Sequence, residues 1–186
     1  MSEYRSPESD LYPIVESFLN IQFTARVKPP LGTHLPLVAI TDKAGPVASG
    51  VWSRPDLAMI NVWRHKYQPG QTLDLYGFEV KRDEACDLKS VHETLAHRRL
   101  VHFAYLVWNY RKADFSAEPF KVIYANCDSY GLGLITFADK NDGRSFEMHL
   151  DAERATPRGA DVDDFIESRF PDHQRTRLLD WIGAGR

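Results

Sequence analysis

The chain has 186 residues, of which 43% are hydrophobic and 12% aromatic, and a formal net charge of −3. That length and composition suit one globular domain with a sizeable core and exclude a disordered chain. The near-neutral balance does not announce a nucleic-acid binder, although carboxylates gathered around metal ions would mask a local basic face.

The opening is polar until Asp10. Leu11, Ile14, Val15, Phe18 and Leu19 then recur at helical spacing, with Ser9 or Asp10 as N-cap and Pro13 in the first turn. Residues 23–27 read as a short strand ended by Pro29 and Pro30. Residues 31–50 read as a loop, and the apolar run 35–40 within it is a candidate extra strand. Residues 51–63 and 73–82 are β-rich and separated by the turn sequence Tyr67-Gln68-Pro69-Gly70-Gln71, which predicts an antiparallel hairpin. Leu88, Val91 and Leu95 mark a helix over 88–100, and 103–108 is a continuous apolar run suited to a central strand. A helix over 118–127 and a buried strand over 132–137 follow. Phe146, Met148 and Leu150 alternate with Glu147 and His149, as in an edge strand. Residues 156–160 read as a turn or linker before two amphipathic helices, 162–170 and 175–182.

The order predicts an α/β protein with a mixed central sheet flanked by helices. Residues 1–155 form its main domain, and 156–186 form a C-terminal helical extension packed on it. Leu178, Leu179, Trp181 and Ile182 could instead seal a homodimer. No stretch approaches the roughly 20 apolar residues of a membrane span, and no signal-peptide core is visible, so no membrane partner is expected. Cys86 and Cys127 make neither a disulfide framework nor a paired metal spacing, which points to a cytoplasmic protein.

The segment 73–82 holds Glu79-Val80-Lys81. Strand alternation turns Glu79 and Lys81 to one face and Val80 to the other. The neighbours Leu75, Tyr76, Phe78 and Val80 mark the strand as buried, so a carboxylate and an ammonium there must be paired or coordinated. Asp56 follows Pro55 at the start of the preceding strand. In a hairpin the start of one strand lies near the end of the next, so Asp56 and Glu79 converge at one end of the sheet. Two carboxylates with the Val80 carbonyl make a hard oxygen site of the kind Mg2+ accepts, Mn2+ substituting. A metal there lowers the pKa of bound water and stabilises charge on a phosphate oxygen. Lys81 would orient the attacking water and offset charge in the transition state. The competing reading is a structural ion pair plus a turn carboxylate.

Pro55-Asp56 followed by Glu79-Val80-Lys81 resembles the PD-(D/E)XK motif of restriction-endonuclease-like nucleases. The surrounding order of a helix, three strands, a helix and a strand also resembles that fold's core. Glu8-Ser9-Asp10-Leu11-Tyr12-Pro13, with Phe18-Leu19 after it, is similar to the first helix of several bacterial members of the superfamily. The resemblance covers roughly residues 8–138. It implies a Mg2+-dependent nuclease on DNA, with RNA left open: Asp56, Glu79 and Val80 on the metal, Lys81 on the water, and a first-helix glutamate assisting. Glu8 is the first choice for that glutamate and Glu16 the second. The chain departs from the family on the next helix, where several relatives carry Gln and Tyr and this sequence offers His92, Glu93 and His97.

His92, His97 and His102 are spaced by five, which does not share a helix face, so a histidine metal site is not expected. Lys89, Arg98 and Arg99, with His97, form either a basic surface for a phosphate backbone or a solvated helix face. Arg64 and Lys66, with His65, in the hairpin turn carry the same two readings. A non-catalytic module of the same fold, binding nucleic acid or a protein partner, is the alternative to the nuclease. A targeting partner is also compatible with a chain that shows no obvious recognition domain.

Overall fold

The structure is a computed structural model and describes residues 8–42, 54–112, 114–139 and 141–184. Among them a six-stranded mixed sheet runs in chain order: β1 (Thr33–Ile40), β2 (Leu57–Arg64), β3 (Thr72–Arg82), β4 (Phe103–Asn109), β5 (Gly133–Phe137) and β6 (Phe146–Leu150). The first three strands form an antiparallel meander. Then β3, β4 and β5 pair in parallel, and β6 closes the sheet antiparallel to β5. Each parallel step needs a crossover. One is α3 (Leu88–His97) between β3 and β4, and the other is α4 (Glu118–Ser129) between β4 and β5.

The N-terminal segment is helical for longer than the sequence suggests. A 3-10 turn at Glu8–Leu11 leads into α1 (Tyr12–Phe18), a π turn at Leu19–Phe23 and then α2 (Thr24–Val27). Residues 23–27, expected as a strand, continue this helix. Phe23 stays on the buried stripe of Leu11, Val15 and Leu19, with its ring set edge-on against Tyr76, Phe78 and Tyr105 at 5.2–5.6 Å. The π turn absorbs one extra residue: the Leu19 carbonyl accepts from the Thr24 amide, five residues on, and also from the Thr24 hydroxyl at 2.8 Å. The candidate strand at 35–40 is the eight-residue β1, so the count of three strands before α3 stands with a different first member. Residues 51–53, expected within β2, lie outside the described residues.

Strand alternation sorts the apolar residues into two cores. Leu57 and Met59 of β2, Tyr76, Phe78 and Val80 of β3, and Tyr105 and Val107 of β4 meet the N-terminal helix. Ala58, Ile60 and Val62, Leu75, and Ala104, Leu106 and Trp108 meet α3 and α4 on the opposite face. That second core also takes Val162, Phe165, Ile166 and Phe170 around α5 (Gly159–Arg169), and Leu178 of α6 (Asp172–Gly183). The C-terminal helices thus bury their apolar faces on the same chain, with Trp181 and Ile182 partly buried against that core and Leu179 left 68% exposed. Among the described residues no helix is long and apolar enough to cross a membrane.

One close approach pins the centre of the sheet. A Cβ at Gly133 of β5 would overlap the ring of Tyr105 on β4, whose hydroxyl accepts from the Ala152 amide at 3.3 Å. Gly133→Ala should therefore cost about 1–3 kcal/mol of stability through overpacking, read as a lower urea midpoint with an unchanged slope.

Candidate active site

Asp56 stands one residue before β2, and its main chain is bracketed by both neighbouring strands. Its N–H donates to the Phe78 carbonyl at 3.0 Å, and its carbonyl accepts from Thr41 at 2.8 Å and Asp42 at 3.3 Å. The Thr41 hydroxyl donates to the Pro55 carbonyl at 2.6 Å, which fixes the Pro55-Asp56 step from the end of β1. Pairing between β2 and β3 begins at Leu57 opposite Phe78, so the Val80 amide lies beyond the last β2 residue. Asp56 supplies what is missing: its Oδ2 accepts from the Val80 N–H at 2.8 Å, and its Oδ1 accepts from the Tyr12 hydroxyl at 2.6 Å. In a strand the N–H and C=O of one residue point to the same side, so the Val80 carbonyl also faces the edge where Asp56 stands.

Alternation along β3 turns Glu79 and Lys81 to the α3 face, while Val80 is buried among the residues that meet the N-terminal helix. Glu79 is clamped from both sides: Oε1 lies 2.8 Å from Lys81 Nζ, and Oε2 lies 2.8 Å from His97 Nε2. Lys81 Nζ also reaches Glu93 Oε2 at 3.0 Å and, more loosely, Glu8 Oε2 at 3.8 Å. Glu93 and His97 are four residues apart on α3 and so share the face turned to β3. The Asp87–Ser90 capping box that starts α3 sets this phase: Asp87 accepts from the Ser90 amide at 3.0 Å, and Ser90 Oγ accepts from the Asp87 amide at 3.3 Å.

Asp56, Glu79, Lys81, Glu93 and His97 line one cleft of about 160 Å³, with room for several waters. Its walls carry four carboxylates (Asp42, Asp56, Glu79 and Glu93), two cations (Arg54 and Lys81) and His97. Negative charge is in excess. Burial and the neighbouring Glu79 charge push the Asp56 carboxyl up to about 7, against the opposing pull of Tyr12, Val80 and Lys81. Burial acts to raise Glu79 as well, but His97 and Lys81 more than offset it and hold the carboxyl below its ordinary value. Burial acts to lower Lys81, and the carboxylates of Glu79, Glu93 and Glu8 outweigh it, so the amine stays firmly cationic.

Among the described residues no three His, Cys, Asp or Glu side chains are grouped to ligate one ion. The oxygen donors at hand still suit a hard divalent cation: two carboxylates line the cleft, and the Val80 carbonyl lies on the Asp56 side of β3. A third carboxylate atom is also on offer, since Asp42 Oδ1 is buried with no hydrogen-bond partner among the described residues. Asp56 and Glu79 are the residues that would hold such an ion, with the Val80 carbonyl beside them.

The structure thus brings Asp56, Glu79 and Lys81 to one cleft and sets Glu8 at its margin. Glu16 is not among the lining residues. Of the three histidines only His97 enters; His92 is exposed beside Tyr130, and His102 Nδ1 accepts from the Leu75 amide at 2.9 Å. The basic residues scatter. Arg64 lies 3.9 Å over the Trp181 ring and donates to the Trp181 carbonyl, Arg98 donates to the Tyr130 carbonyl, and Lys66 lies 4.9 Å over Tyr67. Lys89 pairs with Glu93 at 3.3 Å, and Arg99 is exposed. Sequence reasoning missed Tyr12, Asp42 and Arg54. It named Glu93 without a role and His97 only beside the basic residues of the helix, although their spacing of four on a helix was a usable signal.

No family model and no curated protein matches the chain. Among solved structures it is similar to a protein of unknown function from Silicibacter pomeroyi, with a TM-score of 0.50 and 12% identity over 94% of this chain and 90% of the other. At that identity the likeness speaks to the fold alone.

The raised Asp56 carboxyl sets a pH dependence. Between the unfolded value near 4 and the folded value of about 7, the native state holds the extra proton, so this group's contribution to stability is lost as pH rises through that window. Asp56→Asn can keep both hydrogen bonds, because the Tyr12 hydroxyl can accept from the amide. In chelator, the stability of Asp56→Asn relative to the parent should climb from pH 4 to pH 7 and then level off, as measured by urea unfolding. A flat or falling difference would contradict the assigned environment.

Proposed function

We propose that the chain is a metal-dependent nuclease that hydrolyses phosphodiester bonds in DNA, using the cleft of Asp56, Glu79 and Lys81. The observation that carries this reading is the Asp56–Glu79 pair itself. Two carboxylates face one cleft, and burial together with the neighbouring Glu79 charge pushes Asp56 up to about 7. A cluster kept only for stability gains nothing from burying one carboxyl beside another, whereas a site awaiting a cation needs both. The resemblance of Pro55-Asp56 and Glu79-Val80-Lys81 to the PD-(D/E)XK motif supports the same conclusion.

In this reading Asp56, Glu79 and the Val80 carbonyl hold Mg2+ or Mn2+. When bound, the ion supplies a water of lowered pKa and a counter-charge for the phosphate. Lys81, held cationic by three carboxylates, does not take a proton; it places the attacking water and neutralises charge growing on the phosphate oxygens. Tyr12 fixes the rotamer of Asp56 through its 2.6 Å bond, and His97 fixes Glu79. Arg54 lines the same cleft and has no carboxylate partner among the described residues, which leaves its fork for a phosphate of the substrate. Of the expected basic residues, Lys89 and Arg99 are exposed on and just after α3 and are the ones offered to a phosphate backbone, Lys89 in exchange for its pairing with Glu93, while Arg64 and Arg98 are committed elsewhere. Two unpaired thiols, Cys86 and Cys127, suit a cytoplasmic setting.

A second reading, a non-catalytic module, rests on the closed clamp around Glu79, whose two oxygens already have partners. Cleavage decides between them. The full chain should cut plasmid or single-stranded DNA with Mg2+ or Mn2+ and stop in chelator, with an RNA substrate run in parallel. Lys81→Ala or Glu79→Ala should lower the rate by about 10²–10³-fold. Equal cutting by Lys81→Ala rules the mechanism out. Arg54→Ala should weaken DNA binding by about tenfold while leaving turnover at saturating DNA within a few-fold, a split read from KM against kcat.

A further inference from the structure

A divalent cation at Glu79 meets a side chain that is already engaged. Oε1 holds Lys81 and Oε2 holds His97, each at 2.8 Å. His97 is a buried ring, 1% exposed, fixed by α3. Lys81 is the mobile partner, a single charge on a flexible stem. Its side chain is only 12% exposed, so an ammonium displaced from Glu79 has little water to go to and needs another carboxylate.

Glu93 is placed to be that carboxylate. Its Oε2 lies 3.0 Å from Lys81 Nζ, close enough to hold the ammonium without Glu79, whereas Glu8 stands off at 3.8 Å. Its own position is held from the other side, where Oε1 meets Lys89 at 3.3 Å. His97, one turn further along α3, keeps Glu79 fixed while Lys81 changes partner.

We propose that Glu93 is a positioning residue, the second berth of Lys81: when a divalent cation takes Glu79, Glu93 keeps the ammonium in the cleft. The inference rests on the metal-site reading above. Glu93 need not touch the ion. It makes the exchange at Glu79 inexpensive by leaving no buried ammonium unpaired, and it delivers Lys81 to the place where water and phosphate are handled. A glutamine at this position could accept a hydrogen bond from Lys81 but would bring no charge.

The test is Mn2+ binding to the full chain, read from the paramagnetic resonance signal of free Mn2+, with no substrate present. The parent should bind, and Glu79→Ala should abolish binding. Absence of binding by the parent overturns both the metal site and this proposal. Given binding, Glu93→Gln should weaken it by about tenfold or more, because the ammonium then competes for Glu79 with only the more distant Glu8 as an alternative. In a Lys81→Met background the same substitution should matter by about threefold or less, since only a distant charge has been removed. Equal factors in the two backgrounds, or no effect in either, overturn the role of Glu93 and leave the metal site standing. Glu93→Asp, which keeps the charge on a shorter stem, should fall between the parent and Glu93→Gln, and it carries the same cycle should the glutamine variant not fold.

Discussion

The hydrogen bond from the Val80 amide to Asp56 Oδ2, 2.8 Å long, closes the ladder between β2 and β3 where β2 has no further residue to offer. An ordinary ladder would end on a carbonyl or on water. Here it ends on a carboxylate, and the other oxygen of that carboxylate takes the Tyr12 hydroxyl. One side chain therefore ties the N-terminal helix, the start of β2 and the last third of β3. Its position is over-determined, which is what a group must be if it is to present a charge reproducibly to an ion or a substrate. The cost is electrostatic. A neutral amide could make the same two bonds, yet the chain places a charge there, next to another.

Around Glu79 the physics differs. Lys81 and His97 satisfy its two oxygens, Glu93 and Glu8 share Lys81, and Lys89 returns to Glu93. Such a cluster is coherent without any ligand, and removing one member would strand another in a poorly hydrated place. Its coherence by itself is thus weak testimony to function. The asymmetry between the two carboxylates carries more. Glu79 is held below its ordinary value by its partners, while Asp56, with donors but no ion-pair partner among the described residues, is held above it. Two carboxyls pushed apart within one cleft are characteristic of sites rather than of supports.

How far this was legible in the sequence depends on the range of each interaction. Strand alternation placed Glu79 and Lys81 on one face, and the turn at 67–71 brought Asp56 to the end of their strand, because both are properties of nearest neighbours along the chain. The same local logic misplaced residues 23–27. Phe23 and Val27 read as strand formers, but the buried stripe begun at Leu11 continues through a π turn, and packing of Phe23 against three aromatic rings overrode propensity. Tyr12, Asp42 and Arg54 carry no pattern of their own. Tyr12 lies 44 residues from the carboxylate it holds, and that meeting is decided by how the N-terminal helix crosses the sheet. Arg64 shows the converse: it reads as a solvated cation in a turn, and it is claimed by Trp181, more than a hundred residues away.

The location of the cleft follows from the mixed topology. In a parallel pair the strands end together, and the crossover helix must leave from that end, so the carboxyl ends of such strands are where a sheet opens to solvent. Glu79 and Lys81 lie near the carboxyl end of β3, at the start of the parallel half of the sheet, with α3 departing just beyond. The antiparallel half contributes the opposite polarity: β2 begins where β3 ends, so Asp56 arrives at the same rim from the other direction. Only a strand with an antiparallel neighbour on one side and a parallel neighbour on the other can collect a residue from a strand's beginning and two from a helix above its end. β3 has both neighbours, and the four carboxylates of the cleft come from the end of β1, the start of β2, β3 itself and α3.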